Sequence, residues 1–177
     1  MDDIHHEPVY SKKVIEMLTV ANEFCLYLEK ADEYKMEDIL KYLQKLIPII
    51  YLKASLLPEI EVSDDSAAEH FVTEEQWEAL FNLLRSKFAD DDIYYTLDPH
   101  DRNNTDPVRA SISEGLADIY QDMKDFILLY QKPFNSSKEN AIHECKDLFA
   151  KRTGYRLVDL QKAIHYILFQ EVEVDEV

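Results

Sequence analysis

The chain has 177 residues, the size of one domain on the usual scale of roughly 100–200 residues. Hydrophobic residues make up 46% and charged residues 31%, which places it among folded globular chains and not disordered ones. A net charge of −17 excludes general affinity for phosphate backbones, and the presence of only two glycines, Gly115 and Gly154, excludes a glycine-rich phosphate loop.

Helical spacing dominates the chain. Val14, Met17, Leu18, Ala21, Cys25 and Leu28 recur at intervals of three and four, one stripe of a first helix with Ser11 as its candidate cap. Ile39, Leu40, Leu43, Leu46, Ile47 and Ile50 predict a second helix from about Met36 to Leu57. Pro48 falls inside it and leaves the Gln44 carbonyl without its donor, so a kink or break is expected there. Residues 59–72 are acidic and predict a loop or a short helix. Thr73 and Gln76 match a capping box ahead of a third stripe, Trp77, Leu80, Phe81, Leu84 and Phe88. Asp106-Pro107 predicts the start of a fourth and longest helix, whose apolar stripe runs from Val108 to Tyr130. Ser136 and Glu139 suggest a second capping box before a fifth helix. Gly154 suits the left-handed residue that closes it, and a sixth helix carries Leu157, Leu160 and Ile164. No strand pair is predicted. The expected architecture is all-α: a single-domain bundle of about six helices over 1–170, with a proline-kinked second helix and an acidic, frayed tail at 171–177.

Charge is unevenly distributed. Residues 61–130 hold 17 acids against 5 bases. Residues 131–170 hold seven bases against Glu139, Glu144, Asp147 and Asp159. These two regions are expected to attract each other, within one molecule or between two. The overall field repels nucleic acid and anionic membrane surfaces, and it attracts cations or a basic protein partner. Cys25 and Cys145 lie among apolar core positions and read as buried thiols, not a disulfide. The first residues lack the basic and apolar regions of a signal peptide, and the longest apolar run, Leu46 to Pro58, is too short to span a bilayer. A cytoplasmic protein is the expectation.

Several chemistries fail on residue type or spacing. There is no Gly-x-Ser-x-Gly elbow, and neither cysteine has a visibly basic setting. None of the predicted helices carries the Glu-x-x-His of di-iron bundles. His70 and Glu74, four apart, make half a metal site at most. The acidic segment Asp90–Asp101 has the length of a calcium loop but lacks its sixth-position glycine and its terminal glutamate. That segment belongs to a long connection, Ala89 to Thr105. Its Tyr94, Tyr95, His100 and Arg102 form the candidate partner-binding set, because aromatic and arginine side chains anchor protein contacts.

One carboxylate pattern carries a specific resemblance. Glu74-Glu75-Gln76-Trp77-Glu78 reads Glu-Glu-x-x-Glu, and Ala117-Asp118-Ile119-Tyr120 follows on the fourth helix. The pattern resembles the MazG-like all-α nucleoside triphosphate pyrophosphatases, which hold magnesium on such motifs. The resemblance implies a magnesium set of Glu74, Glu78, Glu114 and Asp118. This sequence departs from it: Gly115 stands where a ligand three before Asp118 is needed, and Glu114 is rotated about 100° away. Glu114, Asp118, Asp122 and Asp125 also lie opposite Leu116, Ile119, Met123 and Phe126, so they are expected to form a solvated polar face.

A second resemblance covers the whole chain. Its length, Leu46-Ile47-Pro48-Ile49-Ile50-Tyr51 with Ala54 to Pro58, and Leu116 to Asp125 resemble a family of small bacterial helical proteins, many from Bacteroides-like organisms, known only as a domain of unknown function. That family brings no catalytic residues to map. The sequence therefore predicts an acidic helical protein that works through protein contacts, without catalytic residues, metal or cofactor. The alternative is a magnesium-dependent nucleotide hydrolase.

Overall fold

A computed structural model describes residues 7–101 and 103–170. In chain order they form α1 (Lys12–Glu29), α2 (Met36–Ser55), α3 (Glu74–Phe88), β1 (Ile93–Thr96), β2 (Val108–Ser111), α4 (Ile112–Tyr130), α5 (Asn135–Leu148) and α6 (Gly154–Phe169). A π turn at Phe149–Thr153 joins α5 to α6. Backbone angles stay helical through both of its ends, so α5 and α6 run as one rod. The described residues thus make five helical rods, one fewer than the sequence predicts.

Gly154 explains this difference. It sits at φ −61°, inside the right-handed helix and not at a left-handed terminus. A Cβ there would stand 2.6 Å from the Phe149 carbonyl oxygen, because the π turn draws its backbone against that position. The glycine therefore serves close approach, not chain reversal. Gly115 has a similar use: a Cβ would meet the Leu160 side chain at 3.2 Å, where α4 and α6 cross closely.

The apolar stripes converge on one core. Met17, Phe24, Leu28, Ile39, Leu43, Ile50, Leu84, Ile112 and Leu116 are fully buried. Each large apolar side chain so buried is worth roughly 1.5–3 kcal/mol relative to exposure. Cys25 and Cys145 are both buried and unpaired, as their apolar setting predicts. Among the described residues no helix is long and apolar enough to cross a membrane.

α4 is the hub, packed against α1, α3, α5 and α6. This position overturns the expectation of a solvated acidic face. Asp122 and Asp125 are buried, Asp118 is half-buried, and only Glu114 is exposed. A helix with neighbours on all sides has no solvent face of full width, so its carboxylates must find partners inside the protein.

Pro48 does not break α2, which continues helical from Met36 to Ser55. The Gln44 carbonyl loses its backbone donor as expected, but the Gln161 side-chain amide on α6 donates to it at 3.2 Å. A side chain from a neighbouring helix thus replaces the missing intrahelical bond.

The strand pair is the main feature the sequence does not predict. β1 and β2 pair antiparallel, with Ile93 opposite Ser111 and Thr96 opposite Val108. Asp106-Pro107 therefore precedes a strand, and α4 starts at Ile112, capped by Ser111, whose Oγ accepts from the Glu114 amide at 3.2 Å. Buried Asp92 fixes the hairpin base to α4. It accepts from the Ser113 amide at 2.8 Å and from the Ser111 and Ser113 hydroxyls at 2.8 and 2.9 Å. Between the strands, Asp98, Asp101 and Asn104 each accept from the backbone amide two residues on, turning the chain without glycine.

The Thr73–Gln76 capping box is present. The other two predicted caps are not. Ser11 occupies the cap position of α1, but its hydroxyl makes no capping bond. α5 begins at Asn135, and Glu139 reaches away to accept from the Ser63 amide and hydroxyl. Ser63 belongs to the extended segment 58–73, which holds one 3₁₀ turn at Asp65–Ala67.

Candidate functional site

The magnesium set predicted from the MazG-like pattern is only partly assembled. Glu74 and Asp118 share a shallow pocket with Thr73, Trp77 and Gln121, while Glu78 and Glu114 are exposed outside it. Both oxygens of Asp118 are engaged. Trp77 Nε1 donates to one at 2.9 Å, and the Arg156 guanidinium pairs with the other at 2.8 Å. Among the described residues no group of three or more His, Cys, Asp or Glu side chains converges on a metal position.

The predicted partner-binding set separates into different environments. Tyr94 packs inward on the core, and burial pushes its hydroxyl up to about 12. Tyr95, on the opposite face of the same strand, is 63% exposed. His100 is exposed and meets Tyr155 edge-on at 5.5 Å. Arg102 lies outside the described residues. Tyr94 and Tyr95 border a groove of about 330 Å³ between β1 and α6. Ile93, Ala163 and Ile167 give it an apolar lining, Asp90, Asp91 and Asp159 give it acid, and Lys162 is its one basic residue. Tyr166 on α6 adds an exposed aromatic to the lining.

A second concavity, of about 260 Å³, lies between α4 and α5 beside the π turn. Phe126, Leu129 and Leu148 contribute apolar lining. Asp122, Asp125, Glu144, Arg152 and His70 contribute charged and polar lining. Asp122 pairs with Arg152 and accepts from the Thr153 hydroxyl at 2.6 Å. Burial nonetheless holds the Asp122 carboxyl above the usual carboxylate range. Asp125 accepts from the Phe71 and Val72 amides at 2.8 and 2.9 Å, fastening the segment 58–73. His70 sits between two carboxylates, with Nδ1 at 3.2 Å from Asp125 and Nε2 at 3.4 Å from Glu144. Cys145 also lines this cavity, but burial pushes its thiol up, away from nucleophilic thiolate chemistry.

The description of DUF5063, a domain of unknown function, matches residues 8–170. The chain belongs to this family. The family resemblance carried by Leu46–Tyr51 and Leu116–Asp125 is thereby confirmed. The crystal structure of protein BF1032 from Bacteroides fragilis is similar: 36% identity, a TM-score of 0.84, 94% of this chain and 99% of that chain covered. No curated protein matches. DUF5063 membership carries the fold over most of the chain and no activity with it.

The α4–α5 cavity is the feature that sequence reasoning missed. The spacing of four between His70 and Glu74 does not bring them together: His70 lies before α3 and turns to Asp125 and Glu144. A signal for part of the wall was present. Asp118 and Asp122 are four apart, as are Arg152 and Arg156, and they pair in reverse order, Asp118 with Arg156 and Asp122 with Arg152. Two complementary spacings of four mark antiparallel helices joined by ion pairs. These pairs, with Lys132–Glu69, also join the basic end to the acidic middle within one molecule, one of the two arrangements that the charge pattern predicts.

Proposed function

We propose that this protein is a non-enzymatic contact module. Its docking surface is the groove between β1 and α6, and its partner is an apolar protein segment carrying Lys or Arg. The observation that supports this reading is Tyr95, a large aromatic left 63% exposed at the edge of an apolar groove. Three carboxylates, Asp90, Asp91 and Asp159, border the same groove. Exposed aromatics beside a concave apolar surface are the usual anchors of protein contacts. The carboxylates select positive charge and reject acidic segments. The hydrolase reading is weakened by Asp118, whose oxygens are held by Trp77 and Arg156. The proposed setting is the cytoplasm.

Selection of binders from a random peptide library tests this reading. Enriched peptides should combine an aromatic or aliphatic anchor with flanking Lys or Arg. Tyr95→Ala should weaken their binding by ~2 kcal/mol, about 30-fold. Asp90→Asn with Asp91→Asn should weaken it further and reduce its salt dependence. Enrichment of acidic peptides, or binding indifferent to all three substitutions, refutes the assignment.

A further inference from the structure

We propose that the outer face where α2 and α6 lie side by side docks an amphipathic helix of another protein, one that carries Asp or Glu beside its apolar stripe. This surface goes beyond the contact function assigned to the β1–α6 groove, and it selects the opposite charge.

Its shape comes from two adjoining concavities. One, of about 480 Å³, is lined by Ile47, Pro48 and Tyr51 of α2 and by Leu157, Val158 and His165 of α6. The next, of about 500 Å³, is lined by Tyr51 and Val158 again, with Phe149, Gly154 and Tyr155. The shared residues make them one groove. Along α6 it runs from Gly154 to His165, a length of ~16 Å at 1.5 Å per residue, or three helical turns. Where the two concavities meet, Val158 is 55% and Tyr51 41% exposed. Tyr155 and Leu52, one turn beyond Pro48, are exposed as well. A groove between two packed helices is the shape that a third helix fills by setting its ridge of side chains into it.

The charge of this face departs from that of the rest of the chain. Residues 39–58 hold Lys41, Lys45 and Lys53 and no acid. Residues 148–170 hold Lys151, Arg152, Arg156 and Lys162 against one acid, Asp159. Asp159 borders the second concavity and accepts from the Thr96 hydroxyl of β1 at 2.9 Å. Lys151, Arg152 and Arg156 pair with Asp147, Asp122 and Asp118. Lys162 and His165 are the basic side chains that line the groove, placed to meet an incoming carboxylate. Lys162 also borders the β1–α6 groove, so it stands on the ridge of α6 between the two surfaces.

An acid-poor apolar groove on a chain of net charge −17 is complementary to an acidic helix and to little else. A second copy would bring its own −17 against this one, and an anionic bilayer is repelled by the same overall field. A single helix brings a few carboxylates to Lys162 and His165 and covers Tyr51 and Val158 without that opposition.

The test is a selection from a library of helix-forming peptides, with leucine at every third or fourth position and Glu, Gln or Lys allowed at the flanking positions. The target is the intact protein carrying Tyr95→Ala, which disables the other groove. Enriched peptides should carry Glu at the flanks, and restoring Tyr95 should leave their affinity unchanged. Val158→Glu places a like charge in the groove at an exposed position. It should weaken the selected peptides at least about tenfold with an unchanged Tm. Lys162→Gln should weaken them several-fold and flatten the salt dependence of binding. The proposal is overturned by enrichment of Lys, by no enrichment, or by affinity indifferent to Val158→Glu or to Lys162→Gln. A dimer seen by sedimentation and dissolved by Val158→Glu would assign the face to a second copy. Flotation with phosphatidylglycerol vesicles, lost in the same variant, would assign it to a membrane. Either result overturns the choice of partner.

Discussion

Replacing Gln161 by Leu tests whether α6 sustains α2 across Pro48. Leucine keeps most of the side-chain volume and removes the amide that donates to the Gln44 carbonyl at 3.2 Å. A carbonyl left without a donor costs ~1–3 kcal/mol when buried. Gln44 is half-buried, so water recovers part of this, and the lower end applies. The expected loss is about 1 kcal/mol, or roughly 2–4 °C in Tm for a domain of this size. The informative experiment is the double-mutant cycle with Pro48→Ala. Alanine supplies the amide that the Gln44 carbonyl lacks, so Gln161→Leu should then cost almost nothing. Urea unfolding of the four proteins, followed by two spectroscopic probes, yields the coupling directly. A coupling near 1 kcal/mol supports the repair. An equal cost of Gln161→Leu in both backgrounds would show that its contribution is packing alone and would refute the reasoning.

The two glycines should respond differently to alanine, although both lie in helices where alanine is intrinsically preferred. Gly154→Ala forces a Cβ onto the Phe149 carbonyl and should cost about 1–3 kcal/mol by denaturant unfolding, whereas Gly115→Ala meets only the movable Leu160 side chain and should cost less. Equal effects would contradict the backbone clash at the π turn. A third expectation concerns pH. Burial holds the Glu144 carboxyl above its ordinary range, against the opposing pull of His70. The folded state therefore binds this proton more readily than the unfolded state does. Its stabilising contribution is complete below the unfolded pKa and is lost as pH rises through the higher folded one. Glu144→Gln has no such loss, so its Tm relative to the unmodified protein should rise between pH 4 and pH 7. A constant or falling difference would refute the assignment.

The helices that were readable in the sequence owe this to one-sided packing. α1, α2 and α3 show clean stripes because each faces the core once, and Thr73 with Gln76 marks a boundary by local chemistry alone. The apolar stripe of α4 marks it as a helix, but the polar residues between do not form a solvent face. Periodicity records which residues are apolar, and it does not record a neighbouring helix that brings arginines to the polar side. The hairpin is not legible in the sequence because four-residue strands give too few positions for alternation, while Asp106-Pro107 imitates a helix start. Tyr94 and Tyr95 are legible as a pair, but which of them is packed inward and which is left exposed follows from a strand register that emerges only with β2. The α4–α5 cavity depends on residues 70 to 152 meeting across three elements, which no local pattern encodes.

The glycine-free loop between the strands gives the acidity of this chain a second meaning. Asp98, Asp101 and Asn104 bend the backbone by accepting its amides, and Asp64 does the same for Ser66. Glycine bends a chain by being permissive, and that permissiveness enlarges the unfolded ensemble. Aspartate bends it by attraction, and its short side chain leaves the backbone less free when unfolded. Part of the surplus negative charge is thus an architectural material, laid where another sequence would place glycine. Neutralising these carboxylates would remove turn geometry along with electrostatic field.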